Sequence, residues 1–434
     1  MSPMHDRTLL DGLLGQIGGT RLEDTLHRAN SPYLFRTEFQ RMPLPKGVDQ
    51  DAAWRLLDWA RRVCRRTIVT VPGRDEVWYF PTDEITRCLH RIDMLAGWPM
   101  QSALRGLGAE QTRFSGSAAM KEAVAACIDR DHAHLAPDLV ADLKRGAQPE
   151  TVLGQQIANY YDAVSRIEEF ARSPFDVALL KRLQVDLSRG LILTEDEALR
   201  LRETPNADEG PIDEWAKSGP TAPERIEAEM QRIEALSADS GGFLHPMIRA
   251  MVIYFWLEDM RPFAHRQPGM ARLAFLVFLR QQGYVNLELV PLAQITLERG
   301  GELPRAWRAA IVNERDLTGF LTFNLQALVG ALEDMQQRIE MASRRYDAVR
   351  QALRAKEDLN HRQVSILGRA LRVPGATFTI AYHKRAYDIA YATARGDLLD
   401  LVDKGYLEYE RVSHEYVFTP APGLGKRLKS GAGG

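Results

Sequence analysis

Apolar residues recur at helical spacing along most of this chain. Trp54, Leu57, Ala60 and Val63 fall on one face of a helix predicted from Asp51 to Arg66. Similar patterns predict further helices over Ser115–Arg172 with breaks near Pro137 and Gly146, and over Val177–Leu187, His245–Met260, Gly269–Gln282 and Leu317–Leu353. The sequence therefore predicts a mainly α-helical protein.

Alternating apolar and polar positions predict two short pairs of strands. Thr67–Val71 and Glu76–Phe80 flank a Pro-Gly turn, which predicts a β-hairpin. Leu407–Glu410 and Tyr416–Thr419 alternate in the same way near the C-terminal end. The stretch Glu203–Glu224 is rich in proline and glycine and is predicted to be a long loop, a feature that is often functional.

Length and composition are those of a globular protein with several domains. The 434 residues correspond to about three domains of roughly 150 residues each. Hydrophobic residues make up 45% and charged residues 26%, which suits a large buried core. The formal net charge is -2, so no global field draws the chain to nucleic acid or membranes. Such a partner would need a local charged patch.

The cysteines and the apolar runs bear on the compartment. Cys64, Cys88 and Cys127 are too few and too scattered for a disulfide framework. Charged residues interrupt the first thirty positions, so no secretory signal is predicted. No stretch approaches the roughly 20 apolar residues of a membrane-spanning helix. We therefore expect a cytoplasmic protein without a membrane partner.

The stretch from His245 to Phe263 carries the clearest resemblance to a known family. Its sequence, HPMIRAMVIYFWLEDMRPF, resembles the Fic helix that leads into the family motif HPFxDGNGRxxR. Ile157–Ala163 is similar to the family's Asn-Tyr-x-x-Ala helix, and Thr221–Met230 resembles the helix after its substrate-clamping flap. The resemblance covers roughly residues 110–345 and implies a Fic-like helical bundle with small β-hairpins.

The motif itself is degenerate in this chain. Two of its residues match, one arginine is kept, and the other functional positions are replaced. In register with the family, the chain has Arg261 for the histidine, matching Pro262 and Phe263, His265 for the acidic residue, Arg266-Gln267-Pro268 for Gly-Asn-Gly, Gly269 for the first arginine, and Arg272 as the second arginine.

Each replacement removes a part of the chemistry that the resemblance implies. The family transfers AMP or another phosphate-bearing group to a protein hydroxyl, and the motif histidine removes the hydroxyl proton. An arginine, with a pKa above about 12, cannot act as that base at neutral pH. A neutral histidine at 265 is a poor Mg²⁺ ligand, and Pro268 removes one N–H from the phosphate-binding turn. The resemblance therefore predicts an impaired AMP transferase, with binding of ATP and Mg²⁺ in doubt.

Two interpretations of the arginine-rich loop remain open. Arg261, Arg266 and Arg272 could form an altered anion or nucleotide site at a helix N-terminus, where the helix dipole favours negative charge. Alternatively, these arginines pair with acids such as Glu258 and Asp259 in a degraded pocket.

Other residues near the motif are weaker candidates. The family's inhibitory helix, marked Ser-x-x-x-Glu-Gly, has a partial counterpart from Ser117 to Glu122. Lys121 takes the position of the inhibitory glutamate, unless the register slips by one residue to Glu122. His265 could replace the lost base only if its position, four residues after Arg261, fitted by coincidence. His132 and His134 lack a third ligand at a suitable spacing, so no metal site is predicted.

The stretch from Tyr391 to Leu407 resembles the third helix and the following strand of the winged helix found at the end of many Fic proteins. Helix-turn-helix domains read DNA through the first turns of this helix. From His361 to Ser430 the chain has eleven Lys and Arg against seven Asp and Glu, and we assign candidate nucleic-acid contacts to Lys384, Arg385 and Arg395. Contact with a protein remains the alternative, because the helix itself carries more acids than bases.

These resemblances predict a division of the chain and a function. The predicted parts are an N-terminal region 1–110 with a hairpin near 67–80, a Fic-like domain 111–345, the end of a connecting helix 346–357, and a winged-helix domain 358–434. We expect a regulatory or binding scaffold that contacts DNA or protein. The alternative is an enzyme of altered chemistry that transfers a nucleotidyl or phosphate group at the arginine-rich loop. Homodimer formation is left open.

Overall fold

Over the residues that it describes, the computed structural model shows a mainly helical protein with two small antiparallel sheets, which confirms the prediction of a mainly helical fold. The described residues divide into two compact units, the first within residues 19–332 and the second within residues 333–425. The structure describes residues 19–46, 48–69, 76–97, 119–128, 148–203, 223–238, 242–265, 267–285, 287–290, 292–293, 302–354, 358–372, 376–412 and 415–425.

The first unit consists of helices and one β-hairpin. Strands β1 (Arg66–Val69) and β2 (Val77–Tyr79) pair antiparallel, as the sequence predicted; the turn between them lies outside the described residues. The helices are α1 (Gly19–Asn30), α2 (Arg36–Phe39), α3 (Gln50–Cys64), α4 (Asp83–Ala96), α5 (119–127), α6 (Val152–Ser165), α7 (Ile167–Ala171), α8 (Val177–Leu187), α9 (Glu195–Leu199), α10 (Ile226–Ser237), α11 (Pro246–Met260), α12 (Met270–Gln281), α13 (Glu302–Val312) and α14 (Thr318–Arg354), which continues into the second unit.

Side-chain caps explain where many of these helices begin. Asp49, Thr82, Thr151, Asp176 and Thr194 each accept a hydrogen bond from the backbone N–H three residues further on, at 2.7–3.3 Å. Because the first N–H groups of a helix have no partner within it, each such cap stabilises its helix by about 1 kcal/mol.

The buried face of α3 differs from the predicted one. Val63, which the apolar pattern placed on the buried face, has 63% of its surface exposed, whereas Arg61 is 2% exposed. The Arg61 guanidinium is buried because it donates to Asn30 Oδ1 and to the carbonyl oxygens of Leu34 and Ala29, each at 2.8 Å. A charged group that makes such hydrogen bonds can be buried in place of an apolar residue, and the buried face of the helix is therefore rotated relative to the predicted one.

Helix α11 is at the centre of the first unit. Thirteen of its fifteen residues are buried, and all but Arg249 and Asp259 of these are hydrophobic, a pattern typical of an enclosed helix. Phe255 stacks on Trp307 with ring centroids 4.6 Å apart, and Phe320 meets Trp307 edge-on at 5.1 Å. These aromatic contacts attach α11 to α13 and α14. None of the described helices is both long and apolar enough to cross a membrane.

In the described part of the second unit, the end of α14 and three further helices combine with a three-stranded antiparallel sheet of order β3-β5-β4. Leu367, Leu398, Leu401 and Phe418 are fully buried in its core. The predicted pairing of the last two strands is confirmed. In chain order its elements are α15 (His361–Arg372), β3 (Phe378–Thr379), α16 (Ile380–Tyr387), α17 (Tyr391–Asp403), β4 (Leu407–Val412) and β5 (Glu415–Pro420).

Candidate functional site

The motif region begins at the C-terminal end of α11. Arg261 caps this helix with φ 45° and ψ 71°, a left-handed conformation that costs a non-glycine residue about 1–2 kcal/mol. The guanidinium of Arg202 offsets this conformational cost. Its Nη2 donates to the carbonyl oxygen of Met260 and its Nε donates to that of Arg261, both at 2.9 Å. Arg202 is 3% exposed. A buried cation at a helix C-terminus is also stabilised by the negative end of the helix dipole.

The residues after Arg261 lie beside an extended segment that enters the predicted loop. Leu201 and Phe263 form an antiparallel bridge. Arg202 N donates to Pro262 O at 3.1 Å, and Ala264 N donates to Arg200 O at 2.8 Å. Pro262 and Phe263 are therefore fixed through their backbones. The loop beyond this segment, residues 204–222, lies outside the described part of the chain.

His265 has contacts on both its ring and its backbone. Arg200 Nη2 lies 3.2 Å from His265 Nε2, and because a guanidinium only donates, Nε2 accepts this hydrogen bond. Glu197 Oε1 is 3.5 Å from the same nitrogen. Gln184 Nε2 donates to the His265 carbonyl oxygen at 2.7 Å. Among the described residues, no group of His, Cys, Asp and Glu is arranged to hold a metal ion.

Gly269 is enclosed by the residues around it. Its φ is +79°, and an added Cβ would lie 2.4 Å from Tyr160 Cε2 and 3.2 Å from Ala126 Cβ. No real side chain tolerates the first distance, so residue 269 must be glycine while Tyr160, which is fully buried, stays in place. The arginine that the family motif carries here does not fit this packing.

A small cleft lies between the end of α11 and the start of α12. It encloses about 20 Å³, close to the roughly 10–15 Å³ that one water molecule needs. Gln267 is 7% exposed, and its Oε1 has no hydrogen-bond partner among the residues that the structure describes. The cleft is lined by Leu257, Pro262, Phe263, Met270, Gln267 and Arg261, among others.

Arg261 and Arg272 contact different groups. Arg261 lines the cleft, and its Nε donates to the carbonyl oxygen of Glu258 at 3.3 Å. Arg272 Nη2 donates to Tyr254 Oη at 3.1 Å, and its guanidinium lies 5.2 Å from the centre of that ring. Arg272 is not among the described residues that line the cleft. Arg266, the third arginine of the predicted anion site, lies outside the described residues.

Glu122, and not Lys121, faces the motif region. Lys121 is exposed, whereas Glu122 is 1% exposed and accepts from Ala293 N at 2.6 Å and from Tyr160 Oη at 3.5 Å. Burial raises the pKa of the Glu122 carboxyl, and the charge of Arg272 partly offsets this effect. Of the two candidate residues, Glu122 is therefore the one that interacts with Arg272. Ser117 lies outside the described residues, as do His132 and His134.

The candidate nucleic-acid residues lie on the surface of the second unit. Lys384 and Arg385 are exposed on α16, and Arg395 is exposed on α17. Tyr382 and Tyr391, on the same two helices, are 52% and 54% exposed. Sequence reasoning missed both tyrosines, although Tyr391 and Arg395 are four residues apart and so share a helix face.

Comparison with known proteins identifies the fold. No model of a known protein family matches the sequence, and no curated protein matches it. The structure is similar to the crystal structure of a Fic family protein from Desulfovibrio desulfuricans G20, with a TM-score of 0.52 and 16% sequence identity. The similarity covers 79% of this chain and 98% of that chain. The protein therefore has a Fic-like fold; at this identity the similarity extends to the fold alone.

Proposed function

We propose that this protein is a catalytically impaired member of the Fic fold class that acts as a regulatory or binding scaffold. The observation that carries the proposal is Arg261, which occupies the position of the catalytic histidine and lines a cleft of about 20 Å³. The described lining residues leave room there for about one water molecule, and an arginine cannot take up the hydroxyl proton near neutral pH.

The packing of Gly269 supports the same proposal. The first turn of α12 is where a helix N-terminus would receive phosphates, and the ring of Tyr160 lies directly against the glycine that opens this helix. Three parts of nucleotide transfer are therefore affected. Position 261 lacks the base, position 265 lacks the carboxylate that would bind Mg²⁺, and the packing at Gly269 affects the place where phosphates would bind. Electrostatic positioning supplies much of the acceleration in such reactions, so their combined loss is expected to abolish transfer.

For the second unit, we propose a winged helix that contacts nucleic acid through Lys384, Arg385 and Arg395. The order of helices and strands supports this assignment, and so do the exposed cations with two exposed tyrosines beside them. Exposed acids on β4, Glu408 and Glu410, oppose such contact locally. The cations on α16 and α17 are therefore the proposed contact surface, and β4 is not part of it.

Salt dependence of binding tests the nucleic-acid contact. The full chain is titrated with a fluorescent duplex of about 20 base pairs at several salt concentrations. The triple variant Lys384→Ala, Arg385→Ala, Arg395→Ala should lower the log–log salt slope by about 2–3, because each neutralised phosphate contributes about 0.9. The matched control replaces three exposed cations of the first unit, Arg41, Lys181 and Arg305, and should bind like the wild type. Equal losses of affinity and salt slope in both triple variants would contradict the assignment of the contact to Lys384, Arg385 and Arg395.

The second candidate function is transfer of a phosphate-bearing group by altered chemistry. Arg261 at the edge of the cleft, next to the start of α12, is the observation that favours it. Calorimetry with ATP and Mg²⁺, and separately with pyrophosphate, distinguishes the two functions. Binding that disappears in Arg261→Met supports an altered enzyme, whereas no heat with either ligand supports the scaffold.

A further inference from the structure

A buried carboxylate connects three elements of the second unit. Asp397 on α17 is 6% exposed. Its Oδ2 accepts from Arg362 Nε at 2.7 Å, and its Oδ1 accepts from Arg362 Nη2 at 3.0 Å and from Asn360 Nδ2 at 2.8 Å. The fourth contact comes from His383 on α16, whose Nε2 lies 3.0 Å from Asp397 Oδ2.

The direction of the fourth hydrogen bond follows from the charge of the carboxylate. Burial alone would raise the pKa of Asp397, but hydrogen bonds from Arg362, His383 and Asn360 outweigh it and lower the pKa to about 2. The carboxylate is therefore ionised near neutral pH and can only accept. His383 Nε2 must carry the proton and donate.

This hydrogen bond is buried, and its two residues are close in sequence to the three exposed cations. His383 is 2% exposed, whereas the next two residues on α16, Lys384 and Arg385, are exposed. Asp397 is two residues beyond Arg395, which is exposed on α17. The bond between His383 and Asp397 thus joins the helix that carries two of the cations to the helix that carries the third.

We propose that His383 is a positioning residue: its hydrogen bond to Asp397 sets the spacing between Lys384 and Arg385 on one helix and Arg395 on the other. This inference rests on the proposed contact with nucleic acid. Phosphates occupy fixed positions along a duplex, so cations contribute together only when their spacing is fixed. Buried ionic groups often add little stability compared with apolar ones, and geometric specificity is their better-supported use.

Two nearly isosteric variants of the full chain test the proposal. His383→Gln keeps a donor at similar reach, whereas His383→Met has a similar length and no donor. With the fluorescent duplex, the Gln variant should bind within about twofold of the wild type. The Met variant should lose about tenfold in affinity, with a salt slope reduced by about 1–2, because the one cation of α17 or the two cations of α16 no longer reach phosphates. If the Met variant does not fold, His383→Asn replaces it, because its amide is too short to reach Asp397.

A matched control separates positioning from simple destabilisation. Gln363 Nε2 donates to Asp397 O at 3.2 Å and to Asp400 Oδ2 at 2.6 Å, which joins α15 to α17 but not to α16. Gln363→Leu should therefore keep the wild-type affinity and slope. Equal effects of the Met and Leu variants, or wild-type binding by the Met variant, would overturn the positioning role while leaving the nucleic-acid proposal intact. If the wild type does not bind the duplex at all, both proposals fail together.

Discussion

The ring of Tyr160 fills the space that a side chain at Gly269 would need, since an added Cβ would lie 2.4 Å from Tyr160 Cε2. Gly269→Ala should therefore destabilise the protein through both the positive φ and the collision, the collision alone costing about 1–3 kcal/mol. The measurement is the free energy of unfolding in denaturant. Gly283→Ala is the control, because its φ of +88° is similar and an added Cβ meets nothing within 4 Å. Equal losses of unfolding free energy in the two variants would show that the Tyr160 ring moves aside at no cost.

The same contact limits any repair of the motif. Arg261→His alone should leave nucleotide transfer undetectable, because position 265 still lacks a carboxylate and Pro268 still lacks an N–H. Transfer of label from ATP to protein is the measurement. Restoring all six altered positions should also fail while Tyr160 is present, because Gly269→Arg collides with its ring. Clear activity from the single Arg261→His change would show that the loop is intact apart from its base.

Acid should destabilise the second unit through Asp397. Its folded-state pKa, about 2, lies below the ordinary value of 3.8. The stabilisation is therefore present above pH 4 and is lost as the pH falls from about 4 to 2, in total about 2 kcal/mol. Thermal unfolding between pH 5 and pH 2 measures this loss. Asp397→Asn should be less stable at pH 5 and should show a shallower dependence on pH; an unchanged dependence would rule out this carboxyl as the cause.

Gly396 in α17 should be replaceable with a gain in stability. A Cβ added there meets nothing within 4 Å, and glycine inside a helix is about 1 kcal/mol less favourable than alanine. Gly396→Ala should raise the free energy of unfolding by about 0.5–1 kcal/mol, measured in denaturant. Gly368→Ala in α15, where the space is also open, should behave in the same way. A loss of stability in both variants would contradict the helix assignment at these positions.

Local patterns were sufficient to predict most of the elements. The bounds of α8 and α11, and the pairing of β4 with β5, agree with the sequence because each depends on residues close together in the chain. The prediction for the buried face of α3 was wrong, since Arg61 is buried and donates to three acceptors in the segment 29–34. Apolar periodicity cannot indicate that a charged residue has found acceptors elsewhere.

The candidate site was predictable in its residues but not in its contacts. The motif resemblance singled out Arg261 and Gly269, yet the residues that shape their surroundings are distant in sequence. Arg202 is 58 residues from the carbonyl of Met260 that it holds. Tyr160, which encloses Gly269, lies on α6 and appeared in the sequence only as the tyrosine of the Asn-Tyr-x-x-Ala resemblance. Such contacts depend on how helices pack, which residue spacing along one helix does not determine.

Incubation of the wild-type chain with labelled ATP and Mg²⁺ shows whether nucleotide transfer has been lost. A reaction with the protein itself and with a mixture of candidate target proteins should leave no label on any protein. An unrelated active nucleotide transferase in a parallel reaction shows that the assay works. Label transferred by the wild-type chain and absent with Arg261→Ala would contradict the account, because it would make Arg261 part of a working active site.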